Sequence, residues 1–150
     1  HPSRIEELVK KITSSAYIIK IRSKEQKITE KTSIYLADTL GELGLWYKLS
    51  TIVFLGGSLV DVGGHNPYEP CRFGSAIITG PYVHNFQNAF DQLNNSGAIK
   101  YVSSVRELVE NVQILSDNDN ANLIGQKGLK YVNSLQDHSS PIIKTINNFL

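Results

Sequence analysis

Residues 51–70 read TIVFLGGSLVDVGGHNPYEP, and the reading of this stretch decides the fold. Thr51 to Leu55 is short, apolar and β-branched at Thr51, Ile52 and Val53, as suits a strand buried on both faces of a parallel sheet. Gly56 and Gly57 end that strand, and Gly63 and Gly64 make a second glycine turn. Pro67 has no N–H to leave unpaired and so suits the first turn of a helix. Ligands of open α/β sheets bind beyond the carboxyl ends of the strands, which is where this stretch lies. It reads as a nucleotide-sugar pocket.

Outward from this stretch the chain alternates. On the amino-terminal side, Ser3-x-x-Glu6 has the form of a capping box, and Ile5, Leu8, Val9 and Ile12 repeat at helical spacing, predicting a helix from 3 to about 14. Ala16 to Ile21 is a strand, Lys24 to Lys31 a polar loop, and Ile34 to Ala37 a second strand. Thr39-x-x-Glu42 is another capping box, opening a helix through Leu49. On the carboxyl side, Tyr68 to Phe73 is a helix stopped by Gly74, followed by strand 76–79, helix 85–93, strand 99–102 and a helix marked by Val105, Leu108, Val109 and Val112. Asp117 or Asp119 caps a further helix through Val132, and Pro141 precedes a terminal helix with Ile142, Ile143, Ile146, Phe149 and Leu150 on one side. Five strands alternating with helices predict an α/β fold with a parallel sheet.

Composition narrows the partners. The 150 residues make about one domain, with 15 basic and 14 acidic side chains, so no long-range field draws in nucleic acid. A single cysteine, Cys71, forms no intrachain disulfide and reads as a small buried hydrophobe. No apolar run is long enough to span a membrane and residues 1–4 do not open a signal peptide, which predicts a soluble chain.

Within the pocket the side chains have alternative readings. A helix start behind glycine turns offers unpaired N–H groups to a phosphate. Glu69 is placed to accept hydrogen bonds from ribose hydroxyls, or else complements the helix dipole. Ser58 either binds a phosphate oxygen or is a turn serine. His65 either donates to the ligand or holds the loop, and Asn85 either reaches the cleft or, the safer reading, caps its helix. Asp38, Asp61 and His65 lack metal-ligand spacing, so no metal or other cofactor is expected. Neither a GxSxG elbow nor a dinucleotide GxGxxG is present.

Asp38-Thr39-Leu40-Gly41-Glu42-Leu43, Gly56-Gly57-Ser58-Leu59, Gly63 to Pro70, Gly80-Pro81 and Asn85-Phe86, in this order and spacing, resemble the 3-deoxy-D-manno-octulosonic acid (Kdo) transferases of lipopolysaccharide synthesis. His1-Pro2-Ser3-Arg4 is similar to the end of that family's HPER motif, with Ser3 in place of the glutamate. The resemblance implies a GT-B glycosyltransferase with two facing Rossmann-like domains, which transfers Kdo from CMP-Kdo to lipid A precursor (lipid IVA) with inversion and without metal. Residues 1–150 then correspond to the carboxyl-terminal, donor-binding half. By the same resemblance Gly57, Ser58, Gly64, His65 and Asn66 meet the CMP phosphate, Glu69 the ribose, and Arg4 the phosphate or the Kdo carboxylate.

The resemblance also implies what lies elsewhere. The family's general base, acceptor surface and membrane anchor belong to its amino-terminal domain, so no catalytic residue is assigned in this chain. The full enzyme is expected at the cytoplasmic face of the bacterial inner membrane, the isolated chain is expected to be inactive, and lipid acceptor is met only through the other domain. The first two strands of the doubly wound order are expected to be missing, leaving strand 16–21 without its neighbour or paired anew. Two other readings remain at this point: a domain for another nucleotide sugar, as in UDP-sugar transferases or epimerases, and a non-catalytic interaction module.

Overall fold

The computed structural model describes residues 4–13, 16–116 and 119–137. The Ser3 end of the first capping box, the His1 to Ser3 part of the basic motif, the Asp117 cap and the terminal helix after Pro141 lie outside the described residues. The chain divides into two compact units between Leu43 and Gly44.

The first unit holds α1 (Ile5–Thr13), β1 (Ile19–Ile21) and β2 (Ile34–Leu36). In α1, Glu6 and Glu7 stand in the first turn and Lys10 and Lys11 in the last, the charge order that complements a helix dipole. β1 and β2 pair in parallel, Ile19 opposite Ile34 and Ile21 opposite Leu36. Beyond this short ladder, side chains take over. Ser23 donates through its N–H (2.8 Å) and hydroxyl (2.6 Å) to the Asp38 carboxylate. Arg22 donates to both Glu42 oxygens, from Nε at 3.0 Å and Nη2 at 2.6 Å.

The second capping box forms differently from its expected shape. The Thr39 hydroxyl donates to the Glu42 carboxylate, which is already gripped by Arg22, and helix α2 (Leu43–Leu49) begins only after Glu42. The Thr-x-x-Glu spacing is real, but a guanidinium fork from across the ladder outcompetes the backbone N–H for the carboxylate.

The second unit carries β3 (Ile52–Leu55), α3 (Tyr68–Cys71), β4 (Ala76–Thr79), a 3-10 turn (His84–Phe86), α4 (Gln87–Asn95), β5 (Ile99–Tyr101), α5 (Val105–Ser116) and α6 (Asn120–Asp137). Its sheet runs β3-β4-β5, all parallel, with Leu55 opposite Thr79 and Thr79 opposite Tyr101. β4 is buried at every position, and its alternation sends Ile77 to one face and Ala76 and Ile78 to the other. Ile77 joins Leu55, Cys71, Val83, Phe90, Leu93 and Val132, while Ile78 joins Val102, Leu115, Ala121 and Ile124. Helices therefore cover both faces. Burying the Phe90 side chain alone contributes about 2–3 kcal/mol.

Two expectations change here. β3 is not buried on both faces: it is the edge of its sheet, with Ile52 and Val53 half-buried and Phe54 36% exposed. Strand 16–21 does not stand alone: within the first unit β1 takes β2 as its direct neighbour, and within the second the sheet is β3-β4-β5. An apolar run identifies a strand, but its partner is chosen by which edges the connections bring together. Cys71 is wholly buried, and burial pushes its thiol up to about 12, so it is an inert hydrophobe.

The Arg22–Glu42 clamp makes the first unit acid-sensitive in a defined window. Hydrogen bonds from Arg22, then from Thr39, hold the Glu42 carboxyl at about 2 against an ordinary 4.5. A carboxyl depressed in the folded state stabilises fully above its unfolded value, and that contribution is lost as pH falls from about 4.5 towards 2. Melting temperature measured against pH is expected to fall more steeply for the wild type than for Glu42→Gln across this window. Parallel curves would remove the clamp from the account.

Candidate nucleotide-binding site

β3 and β4 are parallel, so the loops that leave them, 56–67 and 80–86, emerge at the same carboxyl edge of the sheet. The first loop closes on itself, since the Gly64 N–H donates to the Gly57 carbonyl at 2.9 Å. Gly63 and Gly64 turn the chain with φ of 100° and 72°, a conformation that side chains with a Cβ rarely take. His65 follows, exposed, with Nε2 facing Gly57: a Cβ on that glycine would lie 3.7 Å from the ring nitrogen.

The two loops are stitched together. Ser58 is completely buried; its hydroxyl donates to the Leu55 carbonyl at 2.5 Å and accepts the Gly80 N–H at 2.8 Å. Tyr82 N–H donates to the Ser58 carbonyl at 3.0 Å. Gly80 comes so near that a Cβ there would stand 2.1 Å from the Ser58 carbonyl oxygen. Further along, Asn85 donates its N–H to the Gly63 carbonyl (3.1 Å) and its amide nitrogen to the Val62 carbonyl (3.2 Å). At the surface Asp61 and His84 approach to 3.5 Å, an exposed pair of small energetic weight.

These contacts sort the expected residues. The Ser58 hydroxyl ties the two loops together, donating to the Leu55 carbonyl and accepting from the Gly80 N–H. Asn85 does not cap its helix. It sits inside the 3-10 turn, and neither that turn nor α4 has a side-chain cap. Gly64 spends its N–H within the loop, while the N–H groups of His65 and Asn66 donate to no described residue.

The helix start is smaller than expected. α3 has four residues, and the Tyr68 N–H is already taken by Asn66 Oδ1 at 3.0 Å, so little dipole and few free donors remain. Asn66 Nδ2 also reaches Glu69 Oε1 at 3.4 Å. Glu69 is exposed, and its charge helps push the Tyr47 hydroxyl up, second to the burial of that ring. Tyr47 is thus a neighbour of Glu69 that no sequence signal marked. Gly57, Ser58, Gly64, His65, Asn66 and Glu69 all belong to this one region of the second unit. Arg4 stands in the first unit, exposed at the start of α1.

Concavities of about 270 Å³ beside Ile5, Val9 and Asp38, and of about 580 Å³ beside Thr51, Leu115 and Asn122, include no residue of either loop. Among the described residues no three metal-ligand side chains cluster, and no helix is long and apolar enough to cross a membrane.

A parallel α/β sheet with glycine-rich loops at its carboxyl edge is the architecture of the Rossmann-like class. Comparison with known proteins narrows the class. No family model matches the chain. It is 33% identical over 130 residues to the 3-deoxy-D-manno-octulosonic acid transferase of Haemophilus influenzae, covering 85% of this chain and 30% of that protein. The probable mitochondrial 3-deoxy-D-manno-octulosonic acid transferase of Arabidopsis thaliana is 34% identical over 122 residues, covering 79% of this chain and 27% of that protein. The crystal structure of the C-terminal CMP-Kdo binding domain of WaaA from Acinetobacter baumannii superposes with a TM-score of 0.81 at 32% identity, covering 88% of this chain and 69% of that one. The chain belongs to the 3-deoxy-D-manno-octulosonic acid transferase family and matches its C-terminal domain. It spans about 30% of the length of the curated relatives it matches.

The buried serine offers a direct check. Ser58→Ala leaves the Gly80 N–H and the Leu55 carbonyl each one partner short in a dry interior, and unfolding in urea is expected to become easier by about 2 kcal/mol. A ligand-only role for the hydroxyl predicts unchanged stability.

Proposed function

We propose that this chain is the donor-binding part of a Kdo transferase, holding CMP-Kdo while the remainder of the enzyme presents the acceptor. The observation that carries this reading is the 32% identical structure of a CMP-Kdo binding domain, together with the turn Gly63-Gly64-His65-Asn66 at the sheet edge. His65 and Asn66 supply backbone N–H groups for the CMP phosphate, and Gly57 leaves room beside the His65 ring. The Glu69 carboxylate accepts from the ribose hydroxyls, steadied by Asn66 Nδ2. Arg4 pairs with the phosphate or the Kdo carboxylate. Ser58 contributes through the loop it anchors.

In the complete enzyme, a GT-B protein at the cytoplasmic face of the inner membrane, Kdo passes to lipid A precursor with inversion. A base must take the acceptor hydroxyl's proton as the CMP leaves, and holding the donor alone does not assemble that geometry. The base belongs to the other domain in this reading, and the chain alone is inactive.

Calorimetric titration with CMP and UDP tests the donor site. Selective CMP binding is expected, weakened about tenfold or more in Glu69→Ala, because hydrogen bonds to a charged acceptor are lost. UDP binding would favour a different nucleotide-sugar domain, and binding of neither a non-catalytic module. Incubated with CMP-Kdo and lipid A precursor, the chain is expected to show no turnover above background; turnover would place a base within these residues.

A further inference from the structure

We propose that Asn85 is a positioning residue for the nucleotide loop: it touches no ligand and holds Val62, Gly63 and Gly64 in the shape that presents the His65 and Asn66 N–H groups. The inference rests on the reading of this loop as the CMP site and adds a residue from a different loop to it. Asn85 reaches across from the loop after β4 with two donors, its own N–H to the Gly63 carbonyl and Nδ2 to the Val62 carbonyl. Two successive carbonyls of the binding loop are thereby fixed by one residue.

Shape reinforces the bonds. A Cβ on Gly63 would lie 2.4, 2.5 and 2.8 Å from Nδ2, Cγ and Oδ1 of Asn85, so the flat carboxamide lies directly against the bare glycine Cα. Gly63 and Asn85 are a matched pair: the glycine admits the amide, and the amide holds the glycine at its positive φ. One residue on, Gly64 closes the loop onto Gly57, and the two N–H groups left for a ligand follow immediately. Asn85 therefore acts on the ligand through Gly63 and Gly64.

Two variants separate the contributions. Asn85→Asp keeps size and shape but sets a carboxylate oxygen against the Val62 carbonyl, so two acceptors face each other. Asn85→Ala removes both the bond and the packing. Both are measured in the whole chain by CMP calorimetry and by amide hydrogen exchange. CMP affinity is expected to fall about tenfold in each. Exchange at the Gly64 amide should quicken while that at Ile77 and Ile78 in β4 stays slow. Affinity within about twofold of wild type with unchanged Gly64 exchange in Asn85→Asp would overturn the proposal. So would faster exchange throughout β4, which makes Asn85 a general stabiliser. If the wild-type chain binds no CMP, the donor-site reading fails, and Gly64 exchange alone decides whether Asn85 holds the loop.

Discussion

The approach of Gly80 to the Ser58 carbonyl is the constraint on which the second unit's working edge depends. Two parallel strands deliver their loops to one edge, but nothing in a parallel ladder keeps those loops together beyond the last rung. Here the Ser58 hydroxyl bridges the Leu55 carbonyl and the Gly80 N–H, Tyr82 returns to the Ser58 carbonyl, and the bare Cα of Gly80 lets the backbones meet. Any side chain at position 80 would push the loops apart. With that seam closed, Asn85 falls opposite Val62 and Gly63, and the glycine turn has a wall to lean on.

The site so formed uses little charge. A chain with 15 basic and 14 acidic residues has no long-range field with which to gather phosphates, and the loops at this edge carry backbone N–H groups, His65 and Glu69 in place of a cluster of Lys and Arg. Where the protein does spend strong charge–charge contact is the first unit, in which the Arg22 fork grips Glu42 after only three rungs of β1–β2 pairing. Short ladders bury little, and a bidentate guanidinium supplies the register that strands of three residues leave loose. The second unit needs no such clamp, because β4 is packed on both faces.

Much of the fold was legible in the sequence because local chemistry is strong there. Apolar runs place all five strands, and Gly74 ends α3 in the left-handed region, as its position just past the helix foretells. Where the reading erred, the deciding contact came from far along the chain. Thr39-x-x-Glu42 has the spacing of a capping box, yet Arg22, twenty residues away, claims the carboxylate. Thr51 to Leu55 has the composition of an inner strand, yet Ile52 to Leu55 forms an edge, since only pairing with β4 alone decides that. In the site, Gly63, Gly64 and Glu69 stand out by type and spacing. Ser58 reads equally well as ligand or tie, and Tyr47 carries no mark, because burial and proximity to Glu69 are properties of space.

By itself, then, the sequence determined the strand–turn–helix alternation, the glycine turns and the family resemblance, all of which rest on residues adjacent in the chain or at helical and strand spacing. Tertiary structure alone decided that Arg22 claims the Glu42 carboxylate, that the Ser58 hydroxyl is sealed inside, and that Asn85 serves the loop after β3 instead of its own helix. The physical reason is common to all three. A hydrogen bond is satisfied by whichever partner arrives at about 3 Å with the right geometry, and that is settled only when distant segments have packed.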